Sequence, residues 1–386
     1  MTGRSTILLR NAALRQARPW WLLGALALGV AGLGCAGDGP LDGGGVPPLR
    51  AAGADVSALA AFEGAGAHYR DGTIAGALPA LHARGSTLFR LRLFVAPLGT
   101  GIEVNDLPYT IALAQRIKAT GAGLLLDIHY SDTWADPAHQ AIPAAWAGLT
   151  LDSLEQVVEA YTTAVLRAMD SAGVRPDIVQ VGNEIDSGFL WPLGHVGGSD
   201  DTPAQWAQFG RLLAAGIRGV RAATPPGDTI RVLLHYSGGG NPPGIDWFFG
   251  HVAQLELDYD LIGLSWYPWW HGSLSALRAG LATAANHYGR DVMVVETAYP
   301  WRHGAWEQMI VDSSALAWPM TRAGQARFLA DLVAAVRATP GGRGAGVLWW
   351  HPEAIPAPGL FVWGDGALAL FDSTGALLPA ARAFAP

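Results

Sequence analysis

The feature that most constrains the fold is the regular alternation of short apolar segments with longer helical stretches. Most of the apolar segments are unbroken, as expected for strands of a parallel sheet that is covered on both faces. Eight candidate strands can be identified: Ala54–Ser57, Leu88–Val95, Gly123–Tyr130, Asp177–Gly182, Ile230–His235, Leu261–Tyr267, Val292–Thr297 and Ala345–Trp350. Parallel strands that alternate with helices form either a closed barrel or an open, doubly wound sheet.

The helical stretches favour the closed barrel. Leu151–Ala172 has apolar residues at helical spacing after an acidic first turn, and Thr321–Ala338 repeats the spacing. Eight strands, seven intervening helices and a short closing helix near Ala376–Phe384 predict a single α/β domain with the (β/α)₈ (TIM) barrel architecture. An open sheet would need a glycine-rich phosphate turn after its first strand, and Asp55-Val56-Ser57 offers none.

The N-terminus resembles an export signal. Basic residues precede an apolar run from Trp20 to Leu33, which is the order found in signal peptides. Cys35, the one cysteine in the chain, follows small residues as in bacterial lipoproteins. We therefore predict a signal peptide over residues 1–34, a lipid on Cys35, a flexible glycine- and proline-rich linker over residues 35–52, and a folded domain over residues 53–386. An ordinary secretory signal and an uncleaved anchor are the alternatives.

The charge pattern excludes some classes of partner. The formal net charge is −7, and the arginines are scattered rather than gathered in a basic stripe. Nucleic-acid binding therefore has little electrostatic support. A mildly acidic protein suits a neutral substrate, and the 16 tryptophans offer flat rings of the kind that stack on sugars, although most tryptophans in any protein belong to the core. We expect an exported monomer, secreted or held at a membrane only through its N-terminal lipid.

Polar residues concentrate at the carboxyl ends of the predicted strands. In a (β/α)₈ barrel these ends share one face, where catalytic residues gather. The residues concerned are Asp127, His129, Tyr130 and Asp132 after the third strand, Asn183 and Glu184 after the fourth, His235 after the fifth, Tyr267 and His271 after the sixth, Glu296 after the seventh, and Trp349 and Trp350 at the eighth. The sequence therefore predicts a functional site at this face.

Two glutamates in this group indicate the chemistry. Glu184 ends the fourth strand and Glu296 ends the seventh, so their side chains can face each other across the barrel mouth. Cleavage of a glycosidic bond requires two opposed carboxyl groups, one that donates a proton and one that is ionised. We predict Glu184 as the proton donor and Glu296 as the nucleophile. The alternative for each glutamate is a salt bridge with a neighbouring arginine.

Other residues at this face are predicted to support the glutamates or to contact sugar. Asn183 can hydrogen-bond a sugar 2-hydroxyl. Arg90 and Arg92 share one face of the second strand, and either could keep the nucleophile ionised. Tyr267 could hydrogen-bond the same carboxylate. The remaining predicted substrate-binding or supporting residues are Asp127, His129, Asp132, Trp134, His235, Trp269 and Trp350.

The histidines allow a second interpretation, as the metal site of a barrel amidohydrolase. Its ligands would be His129, His235, His271 and Asp127. Such sites normally begin with a His-x-His pair on the first strand, which this chain lacks. We therefore predict no catalytic metal and no required cofactor.

Longer segments resemble one enzyme family. They are Gly53–Ser57, Phe89–Leu93, Leu126–Pro137, Val179–Ile185, Leu190–Pro192, Gly263–Pro268 and Val294–Pro300. From about Gly53 to the C-terminus, the chain resembles the family 53 glycoside hydrolases, the arabinogalactan endo-β-1,4-galactanases. This resemblance implies retaining endo-cleavage of β-1,4-galactan, the backbone of type I arabinogalactans, with Glu184 and Glu296 in the roles given above. It also implies that loop tryptophans and tyrosines line the sugar subsites.

The chain departs from the family pattern in two places. The family usually has Trp-Glu-Pro at the end of the eighth strand, beneath the donor sugar, whereas this chain has Trp350-His351-Pro352 followed by Glu353. Bacterial members can bind calcium in the loop after the seventh strand. Here residues 301–319 offer Glu307 and Asp312, fewer oxygen ligands than calcium needs, so structural calcium is only weakly indicated.

The sequence leaves two other functions open. Other retaining β-glycanases of the same barrel clan, which act on mannan, xylan or glucan, share the glutamate pair. A surface lipoprotein that binds glycans without cleaving them is a rival of a different class, although the intact Glu184 and Glu296 disfavour it.

Overall fold

The computed structural model describes residues 49–385. The predicted signal peptide, Cys35 and most of the predicted linker lie outside the described residues. The first strand begins at Ala51, slightly before the predicted domain start at Gly53. Within the described part of the chain, no helix has both the length and the apolar character needed to cross a bilayer.

Eight parallel strands close into a barrel. They are β1 (Ala51–Asp55), β2 (Leu88–Leu93), β3 (Gly123–Ile128), β4 (Ile178–Val181), β5 (Arg231–Tyr236), β6 (Leu261–Ser265), β7 (Asp291–Glu296) and β8 (Gly344–Trp350). Each strand pairs in parallel with the next along the chain, and β8 pairs with β1. The predicted single (β/α)₈ barrel is therefore confirmed.

Helices fill every connection between successive strands. They are α1 (Leu59–Gly64), α2 (Ala77–Ala83), α3 (Leu107–Lys118), α4 (Leu151–Ser171), α5 (Pro203–Ala223), α6 (Pro242–Gln254), α7 (Pro268–His271), α8 (Leu274–Tyr288) and α9 (Arg322–Arg337). The helices α4 and α9 were both predicted from the sequence. Each begins after a threonine, Thr150 or Thr321, whose side chain accepts a hydrogen bond from a backbone N–H of the first turn. The closing segment is a 3₁₀ helix, Pro379–Phe384.

Short irregular elements decorate this frame. A two-stranded antiparallel ribbon pairs Arg70–Asp71 with Ile74–Ala75. The 3₁₀ turns besides the closing one are Ala144–Trp146, Ile185–Ser187, Gly198–Asp200, Ala305–Met309, Ser313–Ala315, Pro340–Gly342 and Trp363–Gly366. Most of them follow the carboxyl end of a strand, so the site face carries the most elaborate loops.

The barrel interior has an apolar layer beneath a polar one. The apolar layer is a separate buried cluster: Ala51, Leu88, Leu125, Ile178, Leu233, Leu261, Met293, Val295, Ala345 and Leu348. Because successive residues of a strand point to opposite faces, Leu88 at the start of β2 puts Arg90 and Arg92 on the inner side as well. Both arginines are buried in the layer above. The polar side chains of the site therefore pack on a buried apolar layer.

Two local features aim side chains at the mouth. The pairing of β6 with β7 shifts by one residue after Leu264, so Ser265 lies beside Glu296 instead of Val295. Tyr130 and Glu184 follow β3 and β4 with φ angles of 50° and 45°, a left-handed conformation that is uncommon for residues other than glycine. The strands therefore end before the mouth, and β3 stops at Ile128 rather than at the predicted Tyr130.

Candidate active site

The two predicted glutamates meet at the carboxyl end of the barrel. Glu184 lies three residues after the end of β4, and Glu296 is the last residue of β7. A carboxylate oxygen of one lies within 4.8 Å of a carboxylate oxygen of the other. Both line a cavity of about 260 Å³ that opens at this face. The fold therefore brings together two carboxyl groups that are far apart in the sequence.

Most of the predicted supporting residues line the same cavity. Of that set, Arg90, Arg92, His129, Trp134, Asn183, Tyr267 and Trp350 are in its wall. The wall also contains five residues outside the predicted set: Asp55, Ala135, Asp136, Trp270 and Trp363. The cavity thus combines charged groups on its floor with aromatic rings around its rim.

Arg90 is the cation that contacts Glu296. Its Nη1 lies 2.9 Å from a carboxylate oxygen of Glu296 and 2.9 Å from one of Asp55. Its Nη2 lies 2.8 Å from Asp127 and also donates to Asn183 Oδ1 at 2.8 Å. Because a guanidinium carries several donors in a fixed plane, one arginine can orient all four side chains.

Arg92 has a different environment from Arg90. Its Nη1 faces Nε2 of His351 at 3.0 Å, and its Nη2 donates to the carbonyl of Ile102. The guanidinium carbon lies 4.2 Å from the ring centre of Trp134, a cation–π contact that holds this cavity wall. Burial and the positive charge of Arg92 keep the pKa of His351 well below its usual range, so His351 is a neutral acceptor. The family glutamate at this position would have been a charged partner for Arg92.

Each glutamate has its own hydroxyl donor from the segment around the end of β6. The Tyr267 hydroxyl donates to Glu296 Oε2 at 3.0 Å. The Ser265 hydroxyl donates to Glu184 Oε1 at 2.7 Å. Burial and the adjacent carboxylate of Glu296 raise the pKa of Tyr267 well above its usual range, so the tyrosine remains a donor. Hydroxyl groups therefore fix the orientation of both carboxyl groups.

His235 and Gln180 form the buried support of Asn183 and Glu184. Gln180 donates to Asp127 at 2.6 Å and lies 3.1 Å from His235 Nδ1. The other ring nitrogen, His235 Nε2, lies 2.9 Å from the Ser265 hydroxyl. Asn183 uses its amide N–H to donate to the carbonyl of Ala135 at 2.8 Å. This network locks the side chains that follow β4.

Asp127 lies beneath the cavity and contacts both Arg90 and His129, which line the cavity wall. His129 Nε2 lies 3.0 Å from Asp127, while its Nδ1 accepts from the backbone N–H of Ala135. Burial alone would raise the pKa of Asp127, but Arg90 and His129 together hold it below its usual value. Asp127 is fully buried, so it orients Arg90 rather than reaching the cavity.

Four of the predicted supporting residues do not line the cavity: Asp127 and His235, described above, and Asp132 and Trp269. Asp132 accepts hydrogen bonds from the backbone N–H groups of Ala96 and Ala144, so it fastens two loops together. Trp269 is fully buried, with its ring centre 5.5 Å from that of Tyr267. Its neighbour Trp270 is 42% exposed and lines the cavity instead. The two rings lie on one turn of α7, and only the second faces the opening.

The two carboxyl groups differ in acidity. Burial and the nearby Glu296 raise the pKa of Glu184 well above its usual range. Burial also raises the pKa of Glu296, but the positive charge of Arg90 opposes that rise. Glu296 is therefore the stronger acid of the pair and loses its proton first. At a pH between the two ionisations, Glu184 carries a proton and Glu296 carries a negative charge.

The histidines of the amidohydrolase interpretation are engaged in protein hydrogen bonds. His129 and His235 use both ring nitrogens in the contacts given above, and His271 Nδ1 accepts from the backbone N–H of Tyr267 at 3.1 Å. In the loop after β7, Glu307 accepts from the backbone of Gly304, and Asp312 accepts from Ser314. These two carboxylates stabilise their own 3₁₀ turns.

Some residues of the site carried no clear sequence signal. Ser265 and Gln180 are uncharged residues of ordinary strand segments. Trp270 belongs to a cluster of tryptophans after the sixth strand, with Trp266 and Trp269, that suggests sugar stacking, but the sequence could not tell which of these rings is exposed. Asp55 could have been found, because it is an acidic residue at the end of an otherwise apolar first strand.

A (β/α)₈ barrel with two carboxyl groups opposed above strands four and seven, in a cavity walled by aromatic rings, has the architecture of a glycoside hydrolase. The aromatic wall suits sugar rings and the carboxyl pair suits glycosidic cleavage. Residues 51–384 match Glycosyl hydrolase family 53, and the chain belongs to this family.

Relatives in sequence and in structure agree with this assignment. The chain is 38% identical over 323 residues to the probable arabinogalactan endo-β-1,4-galactanase A of Aspergillus terreus, covering 80% of this chain and 87% of that protein. It is 33% identical over 315 residues to the endo-β-1,4-galactanase of Bacillus subtilis, covering 79% of this chain and 70% of that protein. The GH53 catalytic domain of Ignisphaera aggregans superposes with a TM-score of 0.79 at 31% identity, covering 90% of this chain and 98% of that domain.

Proposed function

We propose that this glycoside hydrolase is a retaining endo-β-1,4-galactanase that uses Glu184 as acid/base and Glu296 as nucleophile. The observation that carries the proposal is the approach of the two carboxyl groups to within 4.8 Å. Retaining enzymes place their carboxyl groups about 5–5.5 Å apart, whereas inverting enzymes leave about 6.5–9.5 Å for a water molecule. The choice of galactan is supported by the family and by the names of the relatives.

In the first half of the proposed reaction, the enzyme becomes glycosylated. A carboxylate oxygen of Glu296 attacks the anomeric carbon, and the bond from that carbon to the leaving oxygen breaks. The proton of Glu184 passes to the leaving oxygen, so the departing chain leaves as an alcohol. Arg90 and the Tyr267 hydroxyl hold Glu296 ionised and oriented for this attack.

In the second half, water releases the sugar. Glu184, now ionised, takes a proton from a water molecule as the water oxygen attacks the anomeric carbon. The bond to Glu296 breaks, and Glu296 regains its negative charge. Two displacements at one carbon restore the original β configuration, so the product retains it.

The decisive experiment combines substrate choice with replacement of each glutamate. We expect purified protein to release reducing ends from β-1,4-galactan, with far slower release from mannan, xylan or glucan. Glu184→Ala and Glu296→Ala should each lower the rate at least ~10²-fold, the low end for losing a catalytic acid. Glu63→Ala is the control, because Glu63 forms an ion pair with Arg116 on the surface. Wild-type turnover in either catalytic variant would overturn the assigned roles.

The stereochemistry provides an independent check. Proton NMR of a galactan digest in its first minutes should show the β anomer of the new reducing end before mutarotation. An initial α product would mean inversion, and it would contradict the double displacement even if galactan is the substrate.

We also propose that the protein is exported and attached to a membrane by a lipid on Cys35, on the strength of its N-terminal sequence. Cys35→Ser should shift the protein from the membrane fraction to the soluble fraction in a bacterial host that processes lipoproteins. Metabolic labelling with a fatty acid should mark the wild type only. Equal labelling of both proteins would refute lipidation at this residue.

A further inference from the structure

Ser265 ends β6 in full burial, and the catalytic scheme above gives its side chain no chemical step. It is hydrogen-bonded on both sides, to Glu184 Oε1 at 2.7 Å and to His235 Nε2 at 2.9 Å. The direction of these hydrogen bonds decides which oxygen of Glu184 can carry the proton that is transferred. The direction follows from the position of the proton on the His235 ring.

The proton of the His235 ring can be assigned to Nε2. The backbone N–H of Glu184, whose direction is fixed by the chain, points at Nδ1 at 3.2 Å. Nδ1 also faces the amide nitrogen of Gln180, and that nitrogen must be a donor because it contacts the carboxylate of Asp127. Asn183 Oδ1 lies 3.0 Å from Nδ1 and is an acceptor, but it already accepts from Arg90 at 2.8 Å, so the two donors that face Nδ1 outweigh this one acceptor. Nδ1 is therefore an acceptor.

The remaining directions follow from the single ring proton. Burial and the nearby Arg90 keep the pKa of His235 well below its usual range, so the ring is neutral. Its one proton, on Nε2, is donated to the Ser265 oxygen. The hydroxyl proton of Ser265 is consequently free to be donated in one direction only, to Glu184 Oε1.

From this arrangement we propose that Ser265, oriented by His235, is a positioning residue that reserves Oε1 of Glu184 as an acceptor and so directs the transferable proton to Oε2. This inference rests on the proposed function, because it concerns the acid of the glycosidic cleavage. Oε2 has no hydrogen-bond partner in the described part of the chain, and Glu184 lines the cavity. The arrangement therefore presents the proton to the leaving oxygen in one orientation.

The hydroxyl of Ser265 also affects the acidity of Glu184. A hydrogen bond donated to a carboxyl group stabilises its ionised form and lowers its pKa. The other charged and titratable groups around Glu184 are Glu296 from β7, Asp186 and Asp136 from loops, Arg90 from β2, His235 from β5 and Tyr267 after β6. All of these groups remain when Ser265 is replaced, so the change removes only the two hydrogen bonds of its hydroxyl, to Glu184 and to His235.

The test measures kcat/KM against pH for Ser265→Ala on two aryl β-galactobiosides. One has a phenyl leaving group, which needs the acid, and the other has a dinitrophenyl leaving group, which departs without it. With the phenyl substrate, we expect a loss of ~10-fold and an alkaline limb that moves up by about one pH unit, since the pKa of Glu184 rises. With the dinitrophenyl substrate, the loss should stay below ~2-fold. Ser86→Ala, a buried serine ahead of β2 at the opposite end of the barrel, is the matched control and should match the wild type.

The outcomes separate the inference from the proposed function. A misfolded or loosened variant would lose activity on both substrates equally. An equal loss of kcat/KM on the two substrates, with the alkaline limb unmoved, overturns the positioning role. A wild-type protein that leaves galactan and both aryl galactobiosides intact overturns the proposed function instead. A wild type that cleaves galactan, together with a Ser265→Ala variant of unchanged profile, overturns only the inference.

Discussion

Arg90 holds more of the site together than any other described residue. Its guanidinium contacts the carboxylates of Asp55, Asp127 and Glu296. Burial alone would lower the pKa of Arg90, but the three surrounding carboxylates outweigh burial, raise the pKa and keep the arginine fully charged. The arginine in turn favours the ionised form of Glu296. The charge on the nucleophile therefore depends on one buried side chain.

We expect Arg90→Lys to raise the pKa of Glu296. A lysine keeps the charge but has no planar fork, so it cannot contact all three carboxylates. The acidic limb of kcat/KM, where Glu296 becomes protonated, should then move to higher pH by about one unit, with a loss of ~10-fold or more at the optimum. A pH series on galactan measures both effects.

Arg92→Lys is the control for this prediction. Arg92 lies on the same strand and the same face, but its Nη1 contacts His351 rather than Glu296. Its replacement should leave the acidic limb in place, even if the substrate binds less tightly. If the acidic limb moved equally in the two variants, the shift would depend on the position of the arginine on the strand and not on its contact with Glu296.

At the scale of residues, the sequence could predict which charged residues lie at the site, but not which of them contact each other. Position at the ends of strands four and seven was enough to pick out Glu184 and Glu296. Strand alternation put Arg90 and Arg92 on one face but could not choose between them, because that choice depends on which carboxylates the neighbouring strands bring near. Ser265 could not be predicted, since its importance comes from the register shift that places it beside Glu296.

The segment from β6 to α7 is the element that supplies the most functional groups. Within six residues it provides the Ser265 hydroxyl that donates to Glu184, the Tyr267 hydroxyl that donates to Glu296, and the exposed ring of Trp270. The helix α7 has only four residues, and it turns the chain sharply after Tyr267. Because the turn is so short, Trp269 and Trp270 point to different environments.

We expect replacement of these two tryptophans to have different consequences. We expect the exposed ring of Trp270 to stack on sugar, so Trp270→Ala should lower kcat/KM on galactan ~5-fold, mainly through a higher KM, and should leave stability unchanged. Trp269→Ala should lower the free energy of unfolding by about 3–5 kcal/mol, because it empties a buried site. Urea denaturation and steady-state kinetics on both variants make the comparison. A stability loss in Trp270→Ala like that of Trp269→Ala would contradict the assignment.

At the scale of elements, repeated patterns were predictable and irregular ones were not. All eight barrel strands and the helices α4 and α9 follow from apolar spacing and capping residues. The ribbon at Arg70–Ala75, the 3₁₀ turns and the exact strand ends do not, because they depend on how loops pack over the barrel mouth. Trp269 was grouped with the sugar contacts for the same reason: a short helix has no period from which a buried face can be inferred.

On the scale of the whole molecule, burial of polar groups at one end of the barrel makes stability depend on pH. The apolar layer below is indifferent to pH, whereas the site layer contains carboxyl groups with altered pKa values. One of these, Glu353, lies outside the catalytic pair and is fully buried. The side-chain Oε1 of Glu353 accepts from the backbone N–H of Ala58, and the backbone carbonyl of Glu353 accepts from the Tyr69 hydroxyl. Glu353 thus links the segment after β8 to the start of α1.

We expect the Glu353 carboxyl to reduce stability as the pH rises. Burial raises its pKa to about 8 in the folded protein, so the folded state keeps a proton that the unfolded chain loses above about pH 4.3. Between these two values the folded state binds more protons than the unfolded state, and the free energy of unfolding falls with increasing pH. Below about pH 4.3 both states are protonated, and the contribution no longer changes.

Glu353→Gln isolates this contribution, because glutamine resembles the protonated carboxyl and keeps the acceptor for Ala58. The fall in the free energy of unfolding from about pH 5 to about pH 8, measured by urea denaturation, should be smaller than in the wild type by about 3 kcal/mol. Glu63→Gln, on a partly exposed carboxylate paired with Arg116, should leave the fall unchanged. If Glu353→Gln lost as much stability over this range as the wild type, the buried carboxyl would have to be ionised in the folded protein. Arg92, whose positive charge already favours the ionised form of this carboxyl, would then be its counter-ion.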